Sequence, residues 1–321
     1  MAALVPNPLP WLVPERRDEP LDMVVLGRAG LDLYPEPVGC KTREAQHFRS
    51  SLGGSAGNIA VALARLGRKV GLIAPVSADP AGDFVRRVLA EEDIVHLTPE
   101  PLSDGSRTSL AIAETRADDC EVVIYRHQAA DFQLTAVPLP QAPVLIATGT
   151  ALALEPSRSA TLAALAAARC AVLDLDYLAC SWTSAAERRA TYTAALAQSD
   201  WLVGNPEEFA ILAGDENPLD YARRIAANHR LLVYKEGAAG ARALHPDGTE
   251  TQIDAYPVQA LKPYGAGDSF IAGLMSQLQQ GVALAEALQF GAACAALVVA
   301  RVGCAIAMPY EADVRRFMER H

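Results

Sequence analysis

The chain has 321 residues, 51% of them hydrophobic, enough to bury the core of one large α/β domain or two small ones. Its 38 acidic against 28 basic residues leave a formal net charge of −10, which argues against a surface built to grip nucleic-acid phosphates. An anionic ligand must therefore be met by a local positive site.

The first twenty residues, MAALVPNPLPWLVPERRDEP, hold five prolines and no uninterrupted apolar core. They fit neither a signal peptide nor a membrane span and read as an irregular arm, with one domain expected over residues 21–321. From Leu21, short apolar runs alternate with helical patterns: "MVVLG", a helix over Asn58 to Leu66, "VGLIA", then a helix from about Pro80 to Glu92. The alternation resumes with "VLIAT", "AVLDLD", "WLVGN" and "LLVYK" between Ala- and Leu-rich helices. Such alternation predicts βαβ units around a parallel sheet buried on both faces.

Two segments interrupt it, at about 32–50 and 107–131. In the second, "SRTSLAIAE" and "CEVVIYRH" flank the polar turn "TRADDC" and read as an antiparallel pair. A small sheet projecting from the main layer is expected, either as a lid over a cleft or as a plain edge hairpin. The six cysteines form no C-x-x-C pair and several sit in apolar runs, as small buried hydrophobes of a reducing cytoplasm would.

Near the C-terminus, "KPYGAGDSF" (262–270) leads into apolar residues at helical spacing, Phe270, Ile271, Leu274 and Leu278. A helix starting near Ala266 to Asp268 and ending at Gly281 is predicted. First-turn amides have no internal partner and carry positive partial charge, and Gly265 and Gly267 leave room for an anion to approach them. Asp268 then stands beside that anion. As a helix-start residue alone it is worth well under about 1 kcal/mol. Phosphoryl transfer to an alcohol requires both parts, amides to stabilise the moving group and a carboxylate to accept the hydroxyl proton.

"GGSAGNIAVALARLG" (53–67) and "GAGDSF" (265–270) resemble the two signatures of the ribokinase-like (PfkB) carbohydrate kinases, in that family's order and approximate separation. The resemblance covers nearly the whole chain beyond the arm. It implies a ribokinase-like, doubly wound α/β fold, with a mostly parallel sheet flanked by helices and a small β-sheet lid, and ATP-dependent phosphorylation of a sugar hydroxyl with Mg²⁺. By the same resemblance Asp268 is the base, Gly265, Ala266 and Gly267 form the anion hole, and Gly53, Gly54 and Asn58 line the sugar pocket. "GNPEEF" makes Asn205 and Glu208 organisers of water and Mg²⁺ near the phosphates. "KEGAAG" puts Lys235, Gly237 and Gly240 beside ATP, and the helix "GAACAALVVA" flanks the adenine. The same residues admit plainer readings: a glycine turn before a capped helix, a helix start with Pro206 in its first turn, and an ordinary turn between strands.

Within the family the likeness is nearest to the 5-dehydro-2-deoxygluconate kinases, through "GRAGLDLYPE", "YRHQAADFQLT", "GTALALEPSR", "LDLDYLACSW", "LKPYGAGDSF" and "RVGCAIAMP". It implies a keto sugar acid whose carboxylate meets Arg126, with Asp32 accepting sugar hydroxyls and Asp131 either ordering Arg126 or capping a turn. Two positions depart from the pattern. Leu178 stands where acid-specific relatives carry an arginine, a loss of about 1.5–3 kcal/mol for a charge-assisted hydrogen bond, so a neutral sugar or another acid stays open. Lys262, Pro263 and Tyr264 replace an aspartate and two threonines, and the Lys262 ammonium is expected to stand in for the K⁺ that many relatives use, so that K⁺ is not required.

The expected partners are MgATP and a sugar or sugar acid, with no nucleic acid or membrane, and with a homodimer through the lid. Alternative readings are a family member acting on 2-keto-3-deoxygluconate, fructose, ribose or a nucleoside, and a non-catalytic sugar-sensing protein. A dehydrogenase, suggested by "VLGRAG", is weaker, because its G-x-G-x-x-G pattern is incomplete.

Overall fold

The computed structural model describes residues 21–135, 139–140 and 142–321, and the arm expected at residues 1–20 lies outside the described residues. The chain begins with strands β1 (Met23–Leu26), β2 (Gly30–Glu36) and β3 (His47–Gly53), helix α1 (Ser55–Arg65), strand β4 (Val70–Ile73), helix α2 (Pro80–Glu91) and strand β5 (Val95–His96). Strands β6 (Leu110–Ala113), β7 (Val122–Tyr125) and β8 (Val144–Thr148) follow, then α3 (Ser157–Ala167), β9 (Ala171–Asp174), α4 (Ala185–Leu196) and β10 (Trp201–Gly204). The last third runs α5 (Pro206–Ala213), α6 (Pro218–Ala226), β11 (Leu231–Lys235), β12 (Ala241–Leu244), β13 (Glu250–Ile253), α7 (Ala266–Gln279), α8 (Leu284–Val299) and α9 (Glu311–Met318).

Nine strands form one sheet in the order β13-β12-β11-β10-β9-β8-β1-β4-β5. The stretch from β11 to β5 is parallel, while β12 and β13 add an antiparallel edge. Strand side chains alternate between two cores. Val25, Ile146, Val172 and Val203 pack with α1, α7 and α8 on one face. Leu26, Leu145, Leu173 and Leu202 pack with α3, α4, α5 and α6 on the other. Each fully buried Leu or Val contributes about 1.5–3 kcal/mol, so this double-faced sheet is a rigid scaffold for the loops at its carboxyl edge.

Strand order reverses at β1, which lies between β4 and β8. In open α/β sheets such a reversal opens a crevice at the carboxyl ends of the strands, where ligands bind. Over that edge stands a second sheet, β3-β2-β6-β7, with β2 and β6 parallel and both outer pairs antiparallel. It contains the antiparallel pair expected from "SRTSLAIAE" and "CEVVIYRH". A strand, β2, follows β1 directly, which is not the helix a dinucleotide-binding βαβ unit requires.

Candidate active site

The carboxyl ends of adjacent parallel strands deliver polar side chains to one crevice. Arg28 follows β1, Thr150 follows β8, Asp174 ends β9 with Asp176 just beyond, Asn205 and Glu208 follow β10, and Lys235 ends β11. Helix α7 enters the same crevice with its N-terminus. Gly265, which caps it, has φ +84°, and a Cβ there would lie 3.1 Å from Cys304 Sγ and 3.2 Å from Val298 Cγ1. Glycine is thus required by conformation and by packing.

Asp268 sits in the first turn of α7, where Ser55 Oγ donates to its Oδ1 at 2.7 Å and Asn58 Nδ2 donates to its Oδ2 at 2.8 Å. Both donors lie on α1, so the two glycine motifs meet at one carboxylate. The amides of Ala266, Gly267 and Asp268 reach no acceptor among the described residues, and the Tyr264 carbonyl below them is taken by Lys262 Nζ at 2.7 Å. Burial, opposed by the Ser55 hydrogen bond, raises the Asp268 carboxyl to about 6, with Asp174 adding to the rise.

Around it, Lys235 Nζ pairs with Asp174 Oδ1 at 3.2 Å, and burial with repulsion from Asp174 and Asp268 lifts Asp176 to about 7. Glu208 is raised by burial to about 7 despite the Lys235 charge. It also forms a reciprocal capping box with Asn205, accepting from the Asn205 amide at 2.7 Å while Asn205 Oδ1 accepts from the Glu208 amide at 3.0 Å. Asn205 and Glu208 therefore do structural work at the start of α5 as well as facing the crevice. Among the described residues no cluster of three or more side chains converges as a metal cage. This crowd of carboxylates, two of them pushed towards neutrality, suits a divalent cation held through water and phosphate oxygens, the habit of Mg²⁺.

A cavity of about 580 Å³ opens on the other side of the α7 N-terminus. Ala266 and Gly267 form one wall, Lys235, Gly237 and Gly240 another, and Ala292, Ala295, Ala296 and Val299 of α8 a third. Small alanines leave a flat apolar slot there, as expected for "GAACAALVVA". Lys262, fully buried, reaches this cavity beside the Gly265 turn, and burial lowers its pKa.

On the lid side, Asp32 is buried with Oδ1 unpartnered, while Tyr34 Oη donates to its Oδ2 at 3.1 Å. Burial raises its pKa. Gly53, paired with Gly30 across the β2–β3 ladder, leaves room for this carboxylate, since a Cβ there would fall 1.9 Å from Asp32 Oδ1, and Gly54 caps α1 with φ +86°. Asn58 Oδ1 is likewise buried without a partner.

Arg126 is paired with Asp131, one of the two roles expected for that acid. Its guanidinium is held by Asp131 Oδ2, at 2.8 Å from Nε and 2.5 Å from Nη2, donates to the Thr150 carbonyl at 2.8 Å and lies 4.0 Å from the centre of the Phe132 ring. Asp131 thus orders Arg126 and neutralises it, leaving Nη1 to reach Ser181 Oγ at 3.2 Å. Sequence reasoning missed Ser55, Asp174, Asp176 and Arg28. The signal available for the last three was a charged residue at or just past the carboxyl end of a buried strand.

The pfkB family carbohydrate kinase model matches residues 21–311 of the chain. A 5-dehydro-2-deoxygluconokinase of Photobacterium profundum is 38% identical over 319 residues, 95% of this chain and 96% of that one. Another, from Clostridium tetani, is 33% identical over 317 residues, 94% of each chain. Among solved structures, a fructokinase double mutant of Vibrio cholerae O395 in fructose-, ADP- and potassium-bound form matches with a TM-score of 0.82 at 27% identity, covering 94% of this chain and 99% of that one.

Proposed function

The chain belongs to the pfkB carbohydrate kinase family, and from that premise we propose that it phosphorylates a terminal hydroxyl of a keto sugar acid with ATP, 5-dehydro-2-deoxygluconate being the first substrate to test. The observation that carries this reading is Asp268, oriented by Ser55 and Asn58 and standing in the same helical turn as amides that lack acceptors.

In this reading Asp268 accepts the proton of the attacking hydroxyl. The amides of Gly265, Ala266 and Gly267 stabilise charge on the transferring group. Asn58 Oδ1 and Asp32 Oδ1, both buried without partners, accept hydrogen bonds from other sugar hydroxyls, and Gly53 and Gly54 let the sugar approach the backbone. Lys235 steadies the phosphates while Gly237, Gly240 and the α8 alanines border the nucleotide. Asn205 and Glu208 orient water beside the phosphates, and Mg²⁺ bound there would neutralise charge on the phosphate oxygens. Lys262 supplies the positive charge under the turn, so added K⁺ is not needed. The four-stranded sheet acts as a lid that excludes water from the closed site.

The free cysteines suit a reducing compartment, and a cytoplasmic location is part of the proposal. So is a homodimer through the lid, whose edge strand β7 exposes Val122, Val123 and Tyr125. A second reading, a neutral sugar, is favoured by Leu178 and by the neutralised Arg126. The test is an ATP-consumption screen across keto sugar acids, aldonic acids, neutral hexoses, ribose and nucleosides. Preferred turnover of 5-dehydro-2-deoxygluconate supports the acid reading, preferred turnover of a neutral sugar or nucleoside supports another member activity, and no sugar-dependent consumption rejects the kinase.

A further inference from the structure

Three basic side chains are buried among the described residues, Arg28, Arg126 and Lys262. Arg126 is neutralised by Asp131, and Lys262 donates to the Tyr264 carbonyl on the nucleotide side. Neither Lys262 nor Arg28 makes an ion pair among the described residues, and of the two only Arg28 lies outside the nucleotide-side cavity. It is 7% exposed, and the single hydrogen bond of its guanidinium among the described residues is Nη1 to Ser109 Oγ at 3.3 Å. Burying a guanidinium with so little compensation is costly, and a site that keeps one has a use for its charge.

Its position says which use. Arg28 follows β1, the strand at which the sheet order reverses, and its carbonyl accepts from the Gly57 amide at 3.2 Å, which fixes it to the start of α1. Its charge acts on both Asp32, proposed above to accept a sugar hydroxyl, and Asp176 just beyond β9. Ser109, its hydrogen-bond partner, precedes lid strand β6. Arg28 is therefore a cation between the small sheet and the core, apart from the nucleotide cavity, whose lining does not include it.

We infer that Arg28 is the specificity residue that receives the carboxylate of an acidic sugar, supplying the charge that Leu178 lacks and that Arg126 spends on Asp131. This rests on the kinase reading above and narrows its substrate to sugars bearing an anionic group. A planar fork with two unengaged nitrogens suits a carboxylate, whereas a neutral ketose leaves the guanidinium buried and unpaired. Discrimination then comes from the penalty on the wrong substrate as much as from the contact with the right one.

The test compares kcat/KM for a keto sugar acid with that for the neutral ketose of the same chain length, in the wild type, Arg28→Met, Arg28→Lys and Arg126→Met. The acid-to-ketose ratio is expected to exceed one in the wild type and to fall about 10- to 100-fold in Arg28→Met, the worth of a charge-assisted hydrogen bond. Arg28→Lys, a point charge without the fork, should lose less, and Arg126→Met should leave the ratio near its starting value. A ratio that survives Arg28→Met, that collapses only in Arg126→Met, or that never favours the acid overturns the inference. Should Arg28→Met fail to fold, a fall or no change of the ratio in Arg28→Lys decides the matter. Should no sugar be phosphorylated at all, the kinase reading fails, and calorimetric binding of the same two sugars to wild type and Arg28→Lys still decides the role of Arg28.

Discussion

Asn58 Nδ2 donates to Asp268 Oδ2 at 2.8 Å, joining two glycine motifs that lie 210 residues apart in the chain. Because Nδ2 is committed to the carboxylate, Asn58 Oδ1 is left buried with no partner, an acceptor held in place for a hydroxyl donor. In the proposed reaction one side chain would thus aim the base and offer a contact to the hydroxyl-bearing substrate.

Replacing Asp268 by Asn should lower turnover by about 10² to 10⁴, the usual worth of a general base, with a smaller change in KM for ATP. Stability should move the other way. The Asp268 pKa is raised from 3.8 to about 6, so between those values the folded state holds a proton that the unfolded chain has released. Stability falls as pH rises through that window, and above it the charge is a net cost of roughly 3 kcal/mol. In Asp268→Asn the Asn58 amide can rotate to present Oδ1, and the melting temperature at pH about 8 should rise in calorimetry. A lower melting temperature together with near-full activity would contradict both roles.

The same carboxylate sets the acid side of the pH profile. Asp268 must be ionised to accept a proton, so kcat/KM should climb with pH about a midpoint near 6 and level off above it. Repulsion from Asp174 adds to the Asp268 rise, whereas Asp176, held at about 7 by burial and by its two acidic neighbours, is mostly neutral where this limb titrates. Asp174→Asn removes that repulsion and should move the acid limb to lower pH. A limb that stays in place in Asp174→Asn would show that the two groups titrate independently.

Gly53→Ala tests the lid side. The added Cβ falls 1.9 Å from Asp32 Oδ1 and 2.0 Å from its Cγ, so the carboxylate must leave its present place beside the Tyr34 hydroxyl. A shift of that size at a substrate contact should raise the sugar KM by roughly 10-fold or more. The ATP KM should hardly change, since neither residue lines the nucleotide cavity. Initial-rate kinetics with each substrate varied in turn separates the two.

Local features were legible in the sequence where one short segment carried the whole signal. The α2 start could be read from Pro80, and Asp79 indeed accepts from the Gly82 amide at 2.7 Å. The parallel strands were legible because burial on both faces makes each an unbroken apolar run. The α7 start was legible because Gly265 and Gly267 precede a helical apolar stripe. What stayed hidden depends on distant parts of the chain meeting. Ser55 reads as a plain helix-start serine until Asp268 arrives from 213 residues away. Asp174 reads as the polar end of a strand until Lys235 is placed beside it by the β9-β10-β11 order. The Arg126–Asp131 pair, five residues apart, was one of the two roles open to Asp131 in the sequence, while the Thr150 carbonyl and Ser181 hydroxyl that complete its setting come from 24 and 55 residues away.

Lys262 makes the final prediction. Its ammonium is fully buried, donates to the Tyr264 carbonyl at 2.7 Å and lies 5.1 Å from the centre of the Tyr264 ring, directly before the Gly265 turn. Burial lowers its pKa, and the charge is present at pH values below that pKa and lost above it. With a covalent cation already under the anion hole, turnover should stay flat as KCl replaces choline chloride at constant ionic strength. Lys262→Met removes the charge and leaves the Tyr264 carbonyl unpaired, so its turnover should drop by about 10-fold or more at saturating substrates, the scale of one lost electrostatic contact to a transition state. Steep activation of the wild type by K⁺ would instead show that a diffusible cation is needed and that Lys262 only pins the loop.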